Sequence, residues 1–143
     1  MKITSEYKLT SSGSRLLEFF RDGKLWFEDT NFPRQDFAIG AQVAYFLCLN
    51  RNRVHEFAES EGRLPMIGFR DVIEPGKGHV REVVWTRYEE FSIGDNTINR
   101  PCLRLDWTTS KGKTGTFNFG VEKAKAIIDQ QRNIADFAAT YSS

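Results

Sequence analysis

The strongest constraint in this chain is internal self-similarity. Displaced on itself by 80 positions, the sequence lays Phe37 on Phe117, Gly40 on Gly120, Ala44 on Ala124, Phe57 on Phe137 and Ala58 on Ala138. Apolar character is kept between them, with Ile39 on Phe119, Leu47 on Ile127 and Val54 on Ile134. The match extends upstream without a gap, since Lys24-Leu25-Trp26-Phe27 overlies Arg104-Leu105-Asp106-Trp107. A fixed period of this kind points to one supersecondary unit used twice.

Local patterning gives the unit its form. Asp22-Gly23 is a two-residue hairpin turn between apolar runs over residues 16–30. Residues 3–10 supply a strand before it, and Asp36-Phe37-Ala38-Ile39 alternates like a short strand ended by Gly40. Val43, Leu47, Asn50, Val54 and Phe57 then recur at helical spacing. The second half repeats the order. Residues 66–73 read as a strand, followed by a turn at Pro75-Gly76-Lys77-Gly78 and a long strand over 81–93. Gly94-Asp95-Asn96 turns the chain into strands at 102–108 and 114–119, and Ala124, Ile127, Ile134 and Phe137 line one face of a closing helix.

The expected fold is therefore α+β. Two tandem ββββα units, with antiparallel sheets and two helices, form one pseudo-twofold domain over 1–143. Unit one covers 1–60, a linker 61–65 and unit two 66–143. A lone four-stranded sheet with one helix leaves a face and its edges open, so two copies bury a shared core by packing helix to helix or exchanging strands.

Composition narrows the function classes. The chain of 143 residues suits one domain and carries a formal net charge of +1. That balance makes no bulk electrostatic case for a polyanion partner, although local clusters still steer ligands. Cys48 and Cys102 sit in apolar contexts outside any CxxC pair, as buried thiols of a reducing compartment do. The N-terminal residues lack an apolar signal region and no stretch is long enough to span a bilayer, so a soluble intracellular protein, cytoplasmic or in a nucleoid or organelle, is expected without a membrane partner.

The strand running into the helix carries a family resemblance. Asp36-Phe37-Ala38-Ile39-Gly40, with Val43 and Leu47 and later Glu56-Phe57, follows the same plan as Thr116-Phe117-Asn118-Phe119-Gly120, with Ala124 and Ile127 and later Asp136-Phe137. In element order the chain resembles the Whirly, PUR and positive-cofactor-four group of single-stranded nucleic-acid-binding folds. Whirly and PUR domains carry the ββββα unit twice. The resemblance implies a largely sequence-tolerant binder of single-stranded DNA or RNA, without catalysis or cofactor, acting in transcription, replication or processing. Lys111-Gly112-Lys113 looks like a lysine-glycine-lysine motif of Whirly proteins, but its place in a late hairpin does not carry that role over.

Single strands are held by aromatic platforms for the bases and basic groups for the backbone. With the turn at Asp22-Gly23, Phe19 is expected opposite Trp26 and Arg21 opposite Lys24. The core face would hold Leu25, Phe27, Phe37, Ile39, Leu105, Trp107, Phe117 and Phe119, and the wet face Phe19, Lys24, Trp26, Arg104 and Thr116. In the long strand either Trp85 with Arg87, or Tyr88 on the opposite side, would meet ligand. Lys111 and Lys113 at a hairpin tip could grip phosphates. The bland alternative places these aromatics in the core and these cations in solvent.

Enzymatic readings find little footing. His55 and His79 are isolated, and Glu89 and Glu90 are adjacent on a strand and point to opposite faces. Gly112-Lys113-Thr114 mimics the end of a phosphate loop, but Trp107 stands where its first glycine belongs. Asp22-Gly23-Lys24 has the Asp-x-Lys form of some metal-dependent nucleases, but a tight turn explains it better. The competing function is a protein-interaction or assembly module that forms homo-oligomers without nucleic acid, since open sheet edges and aromatic surface suit it.

Overall fold

The computed structural model describes residues 2–25, 37–63, 69–74, 78–109 and 111–141. The chain is α+β, with the order β1 (Ile3–Leu9), β2 (Arg15–Arg21), β3 (Lys24–Leu25), β4 (Ala38–Gly40), α1 (Ala41–Leu49), α2 (Arg51–Glu59), β5 (Phe69–Glu74), β6 (Gly78–Ile93), β7 (Asn96–Thr109), β8 (Thr114–Gly120), α3 (Val121–Asp129) and α4 (Gln131–Tyr141). Both sheets are antiparallel throughout.

Turn chemistry sets the strand connections. Asp22 and Gly23 both have positive φ, the type I′ pattern whose twist matches the strands it joins. The Asp22 side chain holds the turn down by accepting the Lys2 N–H at 2.8 Å. Between β6 and β7 only Gly94 of the central pair has positive φ, the type II′ pattern. Gly13 and Gly112 take the left-handed position of their hairpin loops, and in each a threonine hydroxyl, Thr10 or Thr109, accepts a backbone N–H across the loop. The expected turn over residues 75–78 lies largely outside the described residues, and Trp26 and Phe27 lie wholly outside them.

Among the described residues four helices stand where two were expected. Each long apolar stripe is interrupted once, at Asn50 and at Gln130, which occupy equivalent places in the repeat. The Asn50 amide donates to the Phe46 carbonyl at 2.8 Å, the local competition by which asparagine ends helices. Gln130 instead turns its amide to the Ile3 carbonyl at 2.9 Å. The helical boundaries thus repeat at the spacing seen in the sequence. The strand plan does not. In the first sheet β3 and β4 lie along the same edge of β2, whereas the second sheet runs β5-β6-β7-β8 as a meander in which β8 pairs with β7.

The compact units do not follow the sequence halves. One comprises Met1–Asn50 with Asp129–Ser142, the other Arg51–Ile128. In the first unit α4 packs on α1 and on β2. Its core holds Leu17, Phe19, Phe37, Ile39, Leu47, Ile134 and Phe137. Phe19 and Phe37 stack at 4.3 Å between centroids. In the second unit Val84, Leu103, Leu105, Trp107 and Phe119 are buried on the sheet, with Val54, Phe57, Ala124 and Ile127 on the helices. Phe57 meets Phe119 edge to face at 6.3 Å.

Two glycines are fixed by their surroundings. The α2 helix ends in a Schellman arrangement, in which Gly62 N–H donates to Phe57 C=O and Glu61 N–H to Ala58 C=O. Gly62 has φ of 87°, and a Cβ there would collide with Pro101. Gly115 pairs directly with Trp107, and its missing side chain is the space the indole fills.

Candidate nucleic-acid interface

Alternation along β7 separates two populations. Leu103, Leu105 and Trp107 are buried, so Arg104 and Asp106 project from the other side of the strand. The β6–β7 register sets Trp85 opposite Arg104 and Val83 opposite Asp106, and the β7–β8 register sets Thr116 opposite Asp106. Four polar side chains from three strands therefore converge on one outer face.

Asp106 is their hub. Its carboxylate accepts from Trp85 Nε1 at 2.8 Å, from Arg104 Nε at 2.9 and 3.1 Å, and from Thr116 Oγ1 at 2.6 Å. The Arg104 guanidinium lies over the Trp85 ring at 5.3 Å from its centroid. Such a cation–π contact is worth about 0.5–1 kcal/mol at an exposed site and more when desolvated. Partial burial pulls the Asp106 carboxyl upward, but the hydrogen bonds from Thr116, Trp85 and Arg104, with the guanidinium charge, outweigh it and hold the group below its ordinary range. A depressed carboxyl favours the fold above the ordinary carboxylate range, and that contribution is lost as pH falls through the lowered value. A shallow depression of about 240 Å³ adjoins this cluster, bounded by Arg81, Thr108 and Thr114 beside Asp106 and Thr116.

The expected ligand residues fare differently. Phe19, assigned to the wet face, is fully buried. The correction has a plain cause: β2 carries apolar residues on both faces, and the stack on Phe37 together with the cover of α1 and α4 makes the Leu17–Phe19 side the core. Lys24 is exposed beside the turn and pairs with Arg21 as expected, while Trp26 lies outside the described residues. Trp85 and Arg104 are brought together, half-buried. Arg87 and Tyr88 lie on β6, but their side chains fall outside the described residues. Lys111 and Lys113 are exposed at the β7–β8 loop. The strand leading into that loop ends five residues beyond Arg104, about 17 Å along an extended strand.

Asp106 is the residue that sequence reasoning missed. Its parity with Arg104 was legible, but its role depends on the register with Trp85 and Thr116. Among the described residues no group of three or more His, Cys, Asp or Glu side chains is placed to hold a metal ion. Among them, too, no helix is long and apolar enough to cross a membrane. Comparison with protein-family models, curated proteins and solved structures finds no match to this chain.

Proposed function

We propose that this chain binds single-stranded DNA or RNA, without catalysis and with little sequence preference, through the outer face of its second sheet. The observation that supports this is Arg104 held over the Trp85 ring by Asp106, which accepts from both side chains. An indole supplies a sequence-tolerant stacking surface, and a neighbouring guanidinium supplies donors to phosphate. Asp106 orients both groups before ligand arrives, which lowers the ordering cost of binding. Lys111 and Lys113 extend the cationic surface along the same sheet. The resemblance of the sequence, in its order of strands and helices, to the Whirly, PUR and positive-cofactor-four group favours the same ligand class. It also favours an intracellular role in transcription, replication or processing.

The test is fluorescence anisotropy with a labelled single strand of roughly 30 nucleotides, long enough for typical site sizes. It is run at about 50 and about 200 mM salt with duplex competitor, because phosphate contacts release counterions. Strand-selective, salt-sensitive binding that Arg104→Ala weakens is expected. Absence of binding at the lower salt sinks the proposal.

A further inference from the structure

The first sheet ends in an edge whose backbone and charges are self-complementary. Among the described residues β1 pairs only with β2. The pairing direction of each β1 residue follows from the bonds at its ends. Lys2 C=O accepts from Asp22 N–H, and Thr10 N–H donates to Ser14 C=O. Even-numbered residues therefore address β2, and Ile3, Ser5, Tyr7 and Leu9 direct their N–H and C=O groups to the open side. The Ile3 carbonyl is capped there by the Gln130 amide at 2.9 Å. The open stretch is Ser5, Tyr7 and Leu9.

We propose that this edge pairs with the same edge of a second copy, antiparallel about a twofold axis at Tyr7. A closed dimer needs an isologous contact, and two identical strands related by a twofold axis across their edge are antiparallel. Backbone parity restricts the register to those that set odd residues opposite odd residues. A twofold at Glu6 opposes glutamate to glutamate, and one at Lys8 opposes lysine to lysine, both of which are disfavoured. A twofold at Ser5 calls on the Ile3 carbonyl that Gln130 already occupies. The axis at Tyr7 sets Ser5 opposite Leu9 of the second copy, and Glu6 opposite its Lys8, twice by symmetry. Those two ion pairs fall at the non-hydrogen-bonded positions, where side chains approach most closely.

Two features of the isolated chain fit this occupant. Within β1–β2, Glu6 stands directly opposite Glu18, a like-charge pair. Lys8 reaches Glu18 at 3.4 Å and so offsets only one of the two carboxylates. A second copy brings another Lys8 opposite Glu6. On the helix-facing side, Tyr7 is 47% and Leu9 60% exposed, the largest apolar exposures among the described residues. The dimer register places each of them against the second copy's strand.

The test is light scattering on the full chain across a wide concentration range, with far-UV circular dichroism confirming the fold of each variant. Wild type is expected to dimerise. Glu6→Lys places lysine opposite Lys8, and Lys8→Glu places glutamate opposite Glu6. Each is expected to raise the dimer dissociation constant by about tenfold or more, from two reversed pairs. The two variants mixed together restore both pairs in the same register and should form a heterodimer, and the double exchange Glu6→Lys with Lys8→Glu should dimerise alone. A monomeric wild type overturns the proposal. So do single variants that dimerise as well as wild type, or folded single variants that stay apart when mixed.

Discussion

Replacing Asp106 with alanine sets two effects against each other, and their magnitudes decide the sign. The substitution removes a negative charge from the proposed ligand face. For a phosphate about 7 Å away in water that charge costs about 0.6 kcal/mol of binding before salt screening. Removal alone would therefore tighten binding slightly. The substitution also releases the Trp85 indole and the Arg104 guanidinium, which share this carboxylate as acceptor. Reimmobilising a side chain on binding costs about 0.5–1.5 kcal/mol, or about 1–3 kcal/mol for the two. The net is a loss of about 0.4–2.4 kcal/mol, a weakening between about twofold and about sixtyfold. Stability should fall by only about 1 kcal/mol, because the carboxylate is about a third exposed and water replaces part of what its partners lose. Anisotropy at two salt concentrations reads the affinity, and urea unfolding reads the stability. The salt slope should be unchanged, since every cation remains. An unchanged or tighter affinity in the folded variant refutes the view that Asp106 preorganises this face.

Three further outcomes follow from packing. Phe19→Ala should cost about 3–5 kcal/mol in urea unfolding while leaving single-strand affinity unchanged in the folded fraction, because Phe19 is fully buried on Phe37; a loss of affinity at unchanged stability would return Phe19 to the ligand face. Gly115→Ala should cost about 1–3 kcal/mol by driving a methyl group into the Trp107 indole. In a Trp107→Val background that penalty should largely vanish, and a double-mutant cycle without coupling would disprove the contact. Gly62→Ala should destabilise by about 2 kcal/mol or more, combining a left-handed backbone with a collision against Pro101; an unchanged thermal midpoint would count against the described helix end.

How much was legible in the sequence depended on the range of the interactions involved. The Asp22-Gly23 and Gly94-Asp95 turns were readable because positive φ is a local demand that few residues meet. The repeat was readable as well, and the helical boundaries recur at its spacing, including the paired interruptions at Asn50 and Gln130. The interruptions themselves were not foreseen, since both residues continue the helical period. Arg104 and Trp85 were each singled out, but one-dimensional parity could not reveal that they face one another or that Asp106 joins them.

Alternation in a strand defines two faces and leaves open which of them is buried. In β2, with Leu16, Leu17, Phe19 and Phe20 spread over both faces, the helices made that choice, and one of them, α4, arrives from the far end of the chain. The sequence by itself determined the turns at Asp22-Gly23 and Gly94-Asp95 and the helical stripes with their recurrence, because each is written in neighbouring residues. Only the tertiary structure decided which side of β2 is core, that α4 completes the first unit, and that Trp85, Arg104, Asp106 and Thr116 form one cluster. Those outcomes depend on contacts between residues far apart in sequence, selected by the burial each arrangement achieves.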